Sequence, residues 1–243
     1  MKLRAFLILL FLCLSSASNA FAVEVDYLDF VNLEINLFEF VYLGAEIDGG
    51  SGVVLDFNTG PFVWHVGARV HYWSTLGVYG EAGVGYVLFG SYETNAPYTQ
   101  VFLINSTTVG NVRYDEYEII KGTCPAVWLH MVEAGIRPFY LTYNDDILNY
   151  SSEFADFMLY AGYRFASYYG EIIPAEEIDV HAHAIAGFTN RHVDDDGFIT
   201  NDQGRILPGF ELGAKWHMFT MDFGYYDDEL YIHIAWRLAI TFM

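Results

Sequence analysis

The chain has 243 residues, 31 acidic against 11 basic, and a formal net charge of −20 at pH 7. It is 53% hydrophobic and 18% aromatic, which excludes intrinsic disorder, because disorder needs low hydrophobicity as well as high charge. Eleven Lys and Arg are too few for a phosphate-binding surface, so a nucleic-acid partner is excluded as well.

Residues 1–22 read as a secretory signal peptide. Lys2 and Arg4 form a positive start, residues 5–14 an uncharged apolar run, and Ala20-Phe21-Ala22 an A-x-A cleavage site. The apolar run is about half the ~20 residues a spanning helix requires. Cleavage would remove two basic residues and no acid, which takes the charge from −20 to −22. One cysteine then remains, Cys124, so no internal disulfide forms. It reads as an unpaired thiol in a loop beside Pro125. Residues 23–243 read as a single domain without linker, repeat or low-complexity tract.

No apolar run long enough for a membrane helix follows Ala22. Period-2 alternation recurs instead, and a strand sends alternate side chains to opposite faces. Strands are predicted at 27–36, 39–48, 61–73, 77–89, 126–136, 155–167, 177–190, 205–216, 218–226 and 229–242. The last is the cleanest: Leu230, Ile232, Ile234, Trp236, Leu238, Ile240 and Phe242 share one face, and His233 and Arg237 the other. Aromatic residues crowd the strand ends, among them Phe62, Trp64, Tyr72, Trp216, Phe219 and Tyr225.

Two architectures use such strands: a soluble sandwich and a membrane barrel. Strand length, aromatic girdles, a polar face rich in glycine and charge, and the export signal favour an all-β, antiparallel transmembrane β-barrel. The weaker segments 52–57 and 139–143 would add two strands, with Asp48-Gly49-Gly50-Ser51 and Arg137-Pro138 as the turns before them. Twelve strands are then favoured and ten are the alternative. With ten, the long connection 90–125 would fall on the side of the chain termini, where short turns are expected.

The signal peptide, the amphipathic strands, the girdles and the ending Trp236-Arg237-Leu238-Ala239-Ile240-Thr241-Phe242 resemble a small bacterial outer-membrane β-barrel protein. The resemblance is architectural, and no motif selects one family. It implies export through the periplasm to the bacterial outer membrane and contact with membrane lipid and lipopolysaccharide. It also implies recognition of Trp236, Leu238, Ile240 and Phe242 by the barrel-assembly machinery. In that class the strand usually ends on the aromatic itself, whereas here Met243 follows Phe242.

The polar faces define an expected lumen network. Its members are Glu34, Glu46, His65, Arg69, His71, Glu81, Glu133, Arg137, Asp156, Arg164, Asp179, His181, His183, Arg191, Glu211, Lys215, Asp222, Glu229, His233 and Arg237. Interleaved opposite charges pair and fill a narrow barrel, so the lumen is expected to be narrow or filled, and most of the net negative charge to lie in external loops and ends. His217 also falls on lumenal parity. His181-Ala182-His183 puts two imidazoles on one face, and with Asp179 they could bind a transition metal, although ordinary lumenal packing is the stronger reading. No resident metal or cofactor is therefore assigned.

The stretch from His192 to Thr200 resembles the middle of a calcium loop, but His192 and Gln203 do not fit its first and last ligands. A solvated acidic turn is favoured there over loose binding of divalent cations. No Ser/His/acid set shares a compatible parity, so no catalytic residue is assigned. His130, on the greasy face near the outer end of its strand, is what keeps a rim enzyme in view. The expected function is that of a monomeric barrel with a structural or narrow-channel role. The alternatives are a lipid-modifying enzyme, or a surface receptor or adhesin acting through loop 90–125 with Tyr92, Tyr98, Phe102, Tyr114 and Tyr117.

Overall fold

The computed structural model describes residues 29–243 except 44–45, 73–75, 110–111, 146–149, 171–176, 194–198 and 227–228. The predicted signal peptide and the acidic turn at 194–196 lie outside the described residues, as do the side chains of Glu46, Asp156, Arg191, His192 and Glu229. Ten strands are described: β1 (Val31–Leu43), β2 (Glu46–Thr59), β3 (Phe62–His71), β4 (Leu76–Val109), β5 (Val112–Asp145), β6 (Tyr150–Tyr169), β7 (Ile178–Val193), β8 (Ile199–Trp216), β9 (Phe219–Tyr226) and β10 (Glu229–Phe242). Each pairs antiparallel with the next, and β10 closes on β1 from Val31↔Phe242 to Leu43↔Tyr231.

Alternation settles which face is which. Along β10, Ile234, Trp236, Leu238 and Phe242 are exposed, while His233, Ala235, Arg237, Ala239 and Thr241 are buried. The same inversion holds on β3, where Phe62, Trp64 and Val66 face out and Val63 and His65 face in. Closure gives every described strand a hydrogen-bonded neighbour on both sides within the barrel, and an apolar exterior of this kind is stable only in lipid.

The favoured count of twelve strands is corrected to ten. Segment 52–57 lies inside β2, which passes straight through Asp48-Gly49-Gly50-Ser51 with Gly49 opposite Phe40 and Gly50 opposite His71. The glycines there serve packing and not a turn. A Cβ at Gly52 would lie 2.7 Å from Arg69 Cγ, and one at Gly50 would lie 2.8 Å from His71 Cδ2. Segment 139–143 likewise continues β5. Pro138, which has no N–H to donate, sits where the β4–β5 ladder skips from Tyr79↔Phe139 to Ala82↔Ile136.

Segment 90–125 is not a loop, and it is not on the expected side. β4 and β5 stay paired down to Val109↔Val112, whereas β3 leaves β4 at Tyr86 and β6 leaves β5 at Ala126. The hairpin therefore runs on alone past the barrel for about 45 Å, at ~3.4 Å per residue. It leaves at the end that carries Val31 and Phe242: the Gly170 N–H donates to the Pro125 carbonyl, and Gly170 lies beside Met243. Cys124 is buried at its root with Ala96, Ala126 and Tyr169, in strand β5 and not in a loop, and it forms no disulfide.

The lumen at this end is plugged by an apolar cluster of Phe30, Val63, Val87, Leu129, Met131 and Tyr168. The rings of Phe30 and Tyr168 stack at 4.4 Å. Above that plug the interior turns from apolar to charged.

Candidate functional site: the charged lumen

Three tiers of ion pairs fill the barrel above the plug. In the lowest, Arg237 Nη1 donates to Glu34 Oε2 at 3.0 Å and to Glu177 Oε2 at 3.1 Å, and Lys215 Nζ donates to the same Glu34 oxygen at 3.0 Å. Beside it, Arg164 on β6 reaches Asp56 on the opposite wall at 2.8 Å, Asp179 at 2.6 Å and Glu133 at 3.5 Å. In the middle tier Arg137 Nε donates to Glu81 at 2.6 Å, and its Nη1 donates to both oxygens of Glu211 at 2.8 Å. His65 joins the two tiers, with Nδ1 2.5 Å from Asp56 and Nε2 3.3 Å from Glu81. In the upper tier Glu39 lies 3.6 Å from Arg69 and 3.5 Å from His71, and His233 Nδ1 is 2.7 Å from Asp222.

The register explains why side chains from non-adjacent strands meet. One ladder row reads Glu133, Gly162, His183, Glu211, Gly224, Tyr231 across β5 to β10. The neighbouring row reads Arg164, His181, Gly213, Asp222, His233. Each row places a glycine between two large polar groups, and those groups lean over it. Glu133 and His183 thus meet at 2.6 Å across Gly162, and His181 and Asp222 approach to 3.7 Å across Gly213.

Sixteen of the twenty sequence-derived network residues have described side chains, and the structure places all sixteen inside the barrel. Glu39, Asp56 and Glu177 belong with them but escaped the sequence reading. A bulge between Asn36 and Phe38 flips the parity of β1, so that Leu37 and Phe38 both face out and Glu39 faces in. Two consecutive apolar residues inside an alternating run were the signal. Asp56 was hidden by reading β2 as two pieces, and Glu177 stands just ahead of β7. His217 is not lumenal: it occupies a turn at φ 51° and packs on Trp216 at 4.7 Å between ring centroids.

The space left over is small. Among the described residues three lumenal cavities measure about 90, 30 and 10 Å³. The largest lies on the side away from the termini, between Met158, Ile185, Phe210 and Tyr231, and its floor is Glu81, Arg137, Glu211 and Asp222. Among the described residues His181, His183 and Glu211 form a group with metal-ligand spacing, their donor atoms all within 4.8 Å of one another. The carboxylate in that group is Glu211. Asp179, expected from the sequence, is turned to Arg164 and lies 4.0 Å from His181.

Chemistry at the rim is thin. His130 faces outward between Phe89 and Phe165 and shares a short hydrogen bond with the Tyr163 hydroxyl, near the barrel end that carries the chain termini and not near the expected outer end. Ser167 is buried and engaged with the backbone of Ile178, accepting from its N–H at 2.7 Å.

A closed antiparallel barrel, apolar outside and charged within, has the architecture of a bacterial outer-membrane β-barrel protein. No family model matches the chain, and no curated protein matches it. Among solved structures it is similar to the in-vitro folded OmpT, an outer membrane protein of Vibrio cholerae. That match has 10% identity and a TM-score of 0.22, over 89% of this chain and 100% of that one. It is also similar to the loop L8 deletion mutant of the same protein, with 12% identity and a TM-score of 0.23, over 87% of this chain and 98% of that one.

Proposed function

We propose that the protein is a structural barrel of the bacterial outer membrane, and that its lumen does not conduct. One observation carries the reading: Arg164, 4% exposed, bridges β6 to Asp56 on the far wall and ties in Asp179 and Glu133 on the way. A pore needs its charges at the wall and water between them, whereas here the charges meet in the middle. The cavity above the tiers admits water, and the ion pairs beneath it leave no passage for a hydrated solute. In this reading residues 1–22 direct export, and the outward residues Trp236, Leu238, Ile240 and Phe242 of β10 present the assembly signal. The exterior contacts lipid and lipopolysaccharide as a monomer, and the site carries no catalysis.

Planar-bilayer recording on the pure refolded barrel tests this. The expected trace shows no discrete conductance steps. Reproducible steps from wild-type protein would replace the structural role with a channel.

The hairpin supports a second reading, in which the protein also engages a partner through it. Val101 pairs with Ile119 and Leu103 with Tyr117, so four apolar side chains share one face, and each is about half exposed or more. An isolated two-stranded ribbon is marginal in water, and both its edges are open for pairing. Because the hairpin leaves from the terminal end, such a partner would meet it on the side where the chain termini lie, unlike a surface receptor or adhesin. Exchanging Val101 and Ile119 for Thr would abolish that association while leaving the barrel folded.

A further inference from the structure

Four donors from three neighbouring strands lie between two lumenal cavities: His181 and His183 line the lower one, Glu211 the upper one, and Asp222 both. His181 and His183 stand on β7, Glu211 on β8 directly opposite His183, and Asp222 on β9 across Gly213 from His181. Glu211 Oε1 is 3.2 Å from His181 Nε2 and 3.5 Å from His183 Nδ1. Asp222 Oδ1 is 3.7 Å from His181 Nε2 and stands beside the compact group of the other three, whose donor atoms all lie within 4.8 Å of one another. A tetrahedral zinc ion with ligand bonds of ~2.0–2.2 Å has ligand-to-ligand edges of about 3.3–3.6 Å. Three edges of such a tetrahedron are therefore already close to length before any ion arrives.

Three further observations point to a ligand. Asp222 is buried, its Oδ2 faces His233, and its Oδ1 has no hydrogen-bond partner. His183 directs its far nitrogen, Nε2, at Glu133 Oε1, 2.6 Å away, which leaves Nδ1 turned to the cluster. That carboxylate–imidazole arrangement is the one that orients histidine ligands on metals. The lumen also holds fewer permanent positive charges than carboxylates. Among the described residues nine buried carboxylates face five permanent cations: Arg69, Arg137, Arg164, Lys215 and Arg237. Arg137 Nη1 donates to both Glu211 oxygens, including the Oε1 that faces the imidazoles, and so holds that carboxylate in place.

We propose that this cluster binds one divalent transition-metal ion of the zinc class. The ligands are His181 Nε2, His183 Nδ1, Glu211 Oε1 and Asp222 Oδ1, and the bound ion staples β7, β8 and β9 from inside. Two imidazoles and two carboxylates suit such ions and disfavour calcium and magnesium, which prefer oxygen alone. Glu211 and Asp222 also line the cavity above, which supplies the entry path. Gly213 is part of the site, because a Cβ there would collide with the His181 ring and with Asp222 Oδ1.

The test is a cobalt titration of tag-free barrel refolded in detergent. One equivalent should produce the intense visible absorption of four-coordinate cobalt, and one equivalent of zinc should abolish it. A large excess of magnesium should leave it unchanged. His183→Asn, checked for folding by heat-modifiable gel migration, should lose the band, and Asp222→Asn should weaken binding at least tenfold. The proposal fails if the wild-type barrel gives no such band, if magnesium competes as well as zinc, or if folded His183→Asn binds unchanged. The wild-type titration decides it even where a variant does not refold.

Discussion

Replacing Arg164 with Met exposes the logic of the lumen. The guanidinium contacts three carboxylates, but they do not lose equally. Asp56 keeps His65 at 2.5 Å and the Tyr168 hydroxyl at 2.9 Å, and Glu133 keeps His183 at 2.6 Å. Asp179 is left with His181 at 4.0 Å and with the more distant charge of Lys215 opposite it on β8, and neither replaces the short guanidinium bonds. The variant thus strands one buried carboxylate. Removing one partner of a buried ion pair costs about 3–5 kcal/mol, and one stranded group predicts a loss in that range instead of three times it. Adding Asp179→Asn removes the stranded charge, so the double variant should regain about 2 kcal/mol over Arg164→Met. Urea unfolding of the refolded barrel, followed through its five tryptophans, measures both. A double variant less stable than Arg164→Met would show that Asp179 does not depend on Arg164, and the reasoning would fall. So would a single variant within about 0.5 kcal/mol of wild type, the usual effect of an uninvolved surface change.

Other outcomes follow from the same geometry. Deleting residues 98–122 and closing the gap with a two-residue turn should leave heat-modifiable migration intact, because neither neighbouring strand pairs with the hairpin there; loss of the folded band would show that the hairpin supports the barrel. Gly162→Val should prevent assembly or sharply destabilise the barrel, since a side chain there strikes the backbone at Ala182 and His183; a fully stable variant would contradict the ladder row. In the hairpin, Ser106 Oγ donates to Asp115 at 2.6 Å and Arg113 Nε donates at 2.7 Å, and these bonds hold the Asp115 carboxyl below its usual range. That contribution is present above the ordinary carboxylate pKa and is lost as pH falls through the lowered one. Ser106→Ala should move the Asp115 titration upward by NMR, and an unmoved titration would dismiss the bond.

The chain's broad class was legible without a structure, because alternation is local. Residues 230–242 declare an apolar face and a polar face on their own, and any closed sheet built from such segments puts the former against lipid. The lumenal membership of Arg164, Glu211 or His233 follows from the same parity. The count was not legible in the same way. Asp48-Gly49-Gly50-Ser51 has the composition of a turn, yet Gly50 makes room for His71 on the next strand, as Gly52 just beyond does for Arg69, and only the pairing reveals that. The bulge after Asn36 likewise inverts parity and hides Glu39.

What the sequence alone determined, then, is a chain of amphipathic strands, each with an apolar face and a polar one. The tertiary structure decided the number of strands, the end from which the long hairpin projects, and which carboxylate meets which cation. Those depend on register between strands far apart in the chain, Arg164 with Asp56 or Lys215 with Glu34, and a period of two carries no information about register. Closure supplies it. Once β10 locks onto β1, every row is fixed, and His181, His183 and Glu211 come within reach of one another, with Asp222 beside His181.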